Sequence, residues 1–156
     1  MMIKVKICGI TNLNDALHAA ELGADALGFV FVEDSPRFIK PIDASKIISR
    51  LPPFLSKVGL FVNPSIDEVK QVINICHFDL IQFHGDESPS FCEQFNLPYI
   101  KAISVEDELS LVKYEKEYES ASAFLLDSFS KNARGGTGNI FDWNLIQQYI
   151  SKQFIV

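Results

Sequence analysis

Ala26-Leu27-Gly28-Phe29-Val30-Phe31-Val32 is the stretch whose reading decides the fold. It is an almost unbroken apolar run of strand length, without the polar alternation of a strand that faces water on one side. Such a strand is buried on both faces, the habit of parallel sheets covered by helices. Its flanks agree with that reading. Before it, Leu13, Leu17 and Ala20 recur at helical spacing, with Asn12 or Asn14 as a cap and Gly23 as a stop. After it, Asp43 opens a second helical pattern through Ala44, Ile47, Ile48 and Leu51, which Pro52-Pro53 ends.

The alternation extends in both directions. Lys4–Cys8 reads as a strand that ends at Gly9, and Val58–Val62, Leu80–His84, Tyr99–Ile103 and Ala123–Asp127 read as further strands. A seventh begins at Phe154-Ile155-Val156. Between them, Ser65 and Glu68 form a capping box ahead of Val69, Val72 and Ile73. Ser88-Pro89 starts another helix with Pro in the first turn. Helical patterns also run from about Glu106 to Tyr118 and over Trp143–Tyr149. Repeated βα units of this kind admit two architectures, a doubly wound open sheet or a closed (β/α)8 barrel. No linker or second composition regime divides residues 1–156, which read as one domain of about six and a half βα units.

Composition narrows the function without giving it. Fourteen Lys and Arg stand against 20 Asp and Glu, a net charge of −6, and no basic run marks a nucleic-acid or anionic-membrane surface. No stretch approaches the ~20 apolar residues of a membrane span. Charges at Lys4 and Lys6 break up any signal-peptide layout at the N-terminus. Cys8, Cys76 and Cys92 form no CxxC pair and are odd in number, so they read as thiols of a reducing compartment, the cytoplasm.

In either architecture the chemistry gathers where strands end and βα loops begin. Those positions hold Cys8, Arg37, Asn63, His84, Asp86, Ser104 and Asp127. Cys8 is a candidate base or nucleophile, or a small buried hydrophobe. Asp127 emerges from Phe124-Leu125-Leu126 as a functional carboxylate or as a cap for the next loop. Arg37, on a loop stiffened by Pro36, is a candidate carboxylate clamp or a solvated loop cation. His84 reads as a proton carrier or as a satisfied hydrogen-bonding group. Gly135-Gly136-Thr137-Gly138 matches neither a dinucleotide fingerprint nor a P-loop, and reads as a loop able to close over a ligand or as a mobile tip. No His, Cys and Asp cluster has metal-ligand spacing.

Taken together, the motifs resemble a known family. Lys4-Val5-Lys6-Ile7-Cys8-Gly9-Ile10-Thr11 is similar to the N-terminal signature of the phosphoribosylanthranilate isomerases of tryptophan biosynthesis. The likeness continues through Gly23–Phe31, Ser35–Ile39, Val58–Asn63, Gln82-Phe83-His84-Gly85, Leu125-Leu126-Asp127, Gly135–Gly138 and Phe141-Asp142-Trp143, across essentially the whole chain.

The resemblance implies a (β/α)8 barrel that works on a small-molecule substrate, phosphoribosylanthranilate, with neither metal nor organic cofactor. It also implies an Amadori rearrangement. Asp127 is then the general acid that protonates the ribose ring oxygen, a task suited to a carboxyl with a raised pKa. Cys8 is the general base at C2′, a task suited to a thiolate. Arg37 holds the anthranilate carboxylate, and His84, Gly135 and Gly136 join it as candidate substrate-binding residues. The related histidine-pathway isomerase carries a carboxylate where Cys8 stands, so Cys8 favours the first family. Family members run longer, and their phosphate loops follow the seventh and eighth strands. The expectation for these 156 residues is therefore a barrel incomplete at its C-terminus, with doubtful activity of its own. A free sheet edge and uncovered side chains such as Ile3, Val5 and Ile7, or their alternates, would favour self-association. A non-catalytic α/β binding module is the alternative.

Overall fold

A computed structural model describes residues 3–105, 108–128 and 153–155. Among them the strands are β1 (Lys6–Cys8), β2 (Ala26–Val30), β3 (Ser56–Phe61), β4 (Leu80–Phe83), β5 (Tyr99–Val105), β6 (Ala123–Ser128) and β7 (Gln153–Ile155). The helices are α1 (Leu13–Glu21), α2 (Pro41–Ile48), α3 (Ile66–Cys76), α4 (Pro89–Cys92) and α5 (Glu108–Glu117), with a 3-10 turn over Glu93–Phe95. Every strand pairs in parallel with the one before it, so the sheet order is the chain order from β1 to β7. A doubly wound sheet reverses its order at a switch point. This sheet has no reversal, so it is of the barrel type.

It is also curled. Across a flat sheet β1 and β4 would lie about 14 Å apart, three steps of roughly 4.8 Å. Yet Lys6 of β1 hydrogen-bonds Gln82 of β4. Only a curved sheet brings those side chains together on its concave face. The register gives that face its members. Cys8 is level with Gly28 and Val58, Leu60 with Gln82, and Ser104 with Asp127. The expectation that Ile3, Val5 and Ile7 or their alternates line the interior resolves in favour of the alternates, Lys6 and Cys8. Ile7 is 42% exposed and Ile3 87%.

The convex face carries the apolar core against the helices. Phe29, Phe61, Phe83 and Phe124 are all buried there, and Phe83 sits 5.8 Å from both Phe91 and Phe95 and 6.0 Å from Tyr99, ring centre to ring centre. Burial of each such aromatic side chain contributes about 1.5–3 kcal/mol. Gly59 belongs to this face for want of space, since a Cβ there would stand 2.8 Å from the Phe78 ring.

Helix starts follow local chemistry. Asn12 rather than Asn14 caps α1, accepting the Asp15 N–H at 2.9 Å. At its far end Gly23 takes φ +90, and the N–H groups of Gly23 and Ala24 close back onto Ala20 and Ala19. α2 begins at Pro41, two residues before the expected Asp43, because Pro presets the first-turn φ although Lys40 supplies no side-chain cap. Several expected strands lie a residue or two from the observed ladders, and β2 ends at Val30 rather than Val32. No helix among the described residues is long and apolar enough to cross a membrane. The helix expected over Trp143–Tyr149 lies outside the described residues.

Candidate active site

The site is built at the C-terminal ends of the strands. Cys8 ends β1, and its sulfur occupies space that Gly28 leaves open. A Cβ on Gly28 would lie 2.7 Å from Cys8 Sγ. Gly9 follows with φ +93, a backbone conformation open to glycine. A Cβ there would meet Arg37 Cδ at 2.4 Å, so the Arg37 side chain passes directly over Gly9. Arg37 lies in the loop between β2 and α2, where Phe38 bridges back to Val30 and the Arg37 N–H donates to Ser35 Oγ at 3.2 Å. From there Arg37 Nη1 donates to the Cys8 carbonyl at 3.3 Å. Two glycines thus make room for one sulfur and one guanidinium.

A chain of polar side chains crosses the concave face from this corner. Lys6 donates to Gln82 Oε1, Gln82 Nε2 lies 2.9 Å from His84 Nδ1, and His84 Nε2 lies 3.3 Å from Asp127 Oδ2. His84 and Asp127 are each 21% exposed at the side chain, so the pair is sheltered but reachable. Burial holds the Lys6 ammonium below the usual lysine range; Cys8 beside it pulls upward, and the Arg37 charge adds to the lowering. Lys6 and Arg37 therefore both lie beside Cys8.

The loops that carry these groups are pinned from behind. Glu87 accepts N–H groups from Asn63 at 2.7 Å and Gly85 at 2.9 Å. Asn63 has φ +48, and its Oδ1 accepts the Asp86 N–H at 2.6 Å. Lys101, between the sheet and α5, pairs with Glu87 at 3.0 Å, donates to the Gly85 carbonyl and lies 5.8 Å from the Tyr118 ring centre. The turn after His84 is thereby tied to the loop after β3, to β5 and to the segment after α5.

Of the residues singled out in the sequence, the structure links His84 and Asp127 directly and joins Cys8 and Arg37 at the other end of the same polar chain. Gly135 and Gly136 lie outside the described residues. Lys6 and Gln82 were not singled out. Each stands two residues before a chosen one, Cys8 and His84, and the two-residue period of a strand places such pairs on one face. A polar residue at that offset inside an apolar strand was the available signal.

The protein-family model described as N-(5'phosphoribosyl)anthranilate (PRA) isomerase matches residues 5–156. A relative of that name from Nitrosospira multiformis is 49% identical over 156 residues, covering all of this chain and 75% of its own length. Among solved structures, phosphoribosyl anthranilate isomerase from Thermotoga maritima aligns with a TM-score of 0.83 at 40% identity, over 95% of this chain and 72% of its own. A phosphoribosyl anthranilate isomerase solved in complex with reduced 1-(o-carboxyphenylamino)-1-deoxyribulose 5-phosphate aligns with a TM-score of 0.78 at 38% identity, over 95% and 70%. With residues 5–156 matched by its model and relatives this similar, the chain belongs to the N-(5'-phosphoribosyl)anthranilate isomerase family.

Proposed function

We propose that this chain isomerises N-(5′-phosphoribosyl)anthranilate to 1-(2-carboxyphenylamino)-1-deoxyribulose 5-phosphate, with Asp127 as general acid and Cys8 as general base. The observation that carries the reading is the meeting of a thiol and a carboxyl, from the ends of β1 and β6, on one hydrogen-bonded concave face. Asp127 gives its proton to the ribose ring oxygen, and the C1′–O bond breaks to leave an iminium. Cys8 takes the C2′ proton, and the electrons of that C–H bond form the C1′=C2′ bond as the iminium is neutralised. The enol hydroxyl then loses its proton as C1′ gains one, which leaves the ketone. Arg37 holds the anthranilate carboxylate in this reading, which its position over Gly9 and beside Cys8 supports.

The test is turnover, followed as loss of substrate fluorescence. Cys8→Ala and Asp127→Asn are each expected to lower kcat by about 10²-fold or more with little change in KM. Arg37→Lys is expected to raise KM without abolishing turnover. Parental kcat in either of the first two variants removes that residue from its role. Binding of substrate by the parent without turnover would support the binding module instead. Cytoplasmic location belongs to the same proposal, supported by the free thiols of Cys8, Cys76 and Cys92. So does self-association, supported by the exposure of Ile3, Val5 and Ile7 beside one another; mass by light scattering checks it.

A further inference from the structure

The polar chain of the concave face has a direction. Lys6 is a donor, so the Gln82 atom facing it is the carbonyl oxygen Oε1, and the NH2 group of Gln82 must face His84. An amide NH2 donates and does not accept, so His84 Nδ1 is the acceptor and the ring hydrogen sits on Nε2. Nε2–H then donates to Asp127 Oδ2. A proton on Oδ2 would confront that hydrogen, so the acid proton of Asp127 belongs on Oδ1.

The opposite arrangement is blocked at both ends. A hydrogen on His84 Nδ1 would face the Gln82 NH2 group. Turning the amide over would present NH2 to the Lys6 ammonium. Gln82 is only 1% exposed, so water cannot replace the lost partner. Resting on the reading of Asp127 as acid, we propose that Lys6 and Gln82 are positioning residues that set the His84 tautomer and so aim the Asp127 proton, on Oδ1, away from the imidazole and toward substrate. Each acts on Asp127 through His84, Lys6 by way of Gln82.

The experiment is 15N NMR of the full chain labelled at histidine, with His84 assigned by its absence from the spectrum of His84→Asn. The parent is expected to show the Nε2–H tautomer at neutral pH. Gln82→Glu keeps the shape and the Lys6 partner but offers His84 an acceptor in place of a donor. Its His84 hydrogen should move to Nδ1, and kcat should fall roughly tenfold or more with KM within about twofold. Lys6→Met removes the donor that fixes the amide, so both tautomers should appear. An Nδ1–H parent overturns the proposal, as does a Gln82→Glu protein that keeps the parental tautomer or the parental kcat. Full activity in Asp127→Asn would instead defeat the acid reading beneath it. The tautomer measurement needs no turnover and separates the two failures.

Discussion

A hydrogen atom in place of a methyl group decides where the Cys8 sulfur rests. In Gly28→Ala the new Cβ would stand 2.7 Å from Cys8 Sγ and 3.2 Å from Cys8 Cα. The sulfur must move, and we expect kcat to fall and stability to drop by about 1–3 kcal/mol, as for other overpacked sites. In Gly9→Ala the clash falls on Arg37 Cδ at 2.4 Å. That variant should raise KM more than it lowers kcat, and steady-state kinetics on the two proteins separates the effects. The thiols make a second prediction. Burial pushes Cys76 up to about 11 and Cys92 up to about 12. At pH 8 their thiolate fractions are then about 10⁻³ and 10⁻⁴, and only the thiolate reacts with an alkylating agent. Iodoacetamide on the native chain should label Cys8 and spare the other two, with all three labelled after denaturation, as read by peptide mass. Cys8, His84 and Asp127 were legible because each is a polar side chain at the end of an apolar strand. Lys6 and Gln82 were less so, because they lie within strands and their meeting depends on the curvature of the sheet.

At the scale of elements, α3 rests on its first turn. Ser65 Oγ accepts the Glu68 N–H at 3.2 Å while Glu68 accepts the Ser65 N–H at 2.6 Å. Ser65→Ala should cost about 1 kcal/mol, read from the urea midpoint. The Ser65 hydroxyl and N–H hold the Glu68 carboxyl below the usual carboxylate range. A depressed folded pKa adds stability above the unfolded value, near 4.5, and that stability is lost as pH falls through the folded value. Glu68→Gln should therefore lose less stability than the parent between pH 7 and pH 3. This box was readable because four neighbouring residues contain it. The start of α2 was misread because Lys40 makes no side-chain cap, so Asp43 looked the better opening although Pro41 already fixes the backbone.

Across the whole molecule, the Lys101–Glu87 pair joins sheet, loop and helix layer. Both side chains are 2% exposed, and Tyr118 of the segment after α5 donates its hydroxyl to the Glu87 carbonyl at 2.8 Å. Lys101→Met leaves a buried carboxylate without its cation and should cost about 3–5 kcal/mol in urea unfolding. Adding Glu87→Gln should recover part of the loss, since the amide oxygen still accepts from Asn63 and Gly85. The alternation of strands and helices was plain from apolar runs alone. The choice between barrel and open sheet was not, because strand order is set by contacts between distant residues; the likeness of motifs supplied it. That order carries a consequence for synthesis. Each strand pairs with the one translated just before it, and chains fold from the N-terminus as they leave the ribosome. No described strand must wait for a distant partner before its first ladder closes, so the nascent sheet advances by one edge, strand by strand, at the pace of translation.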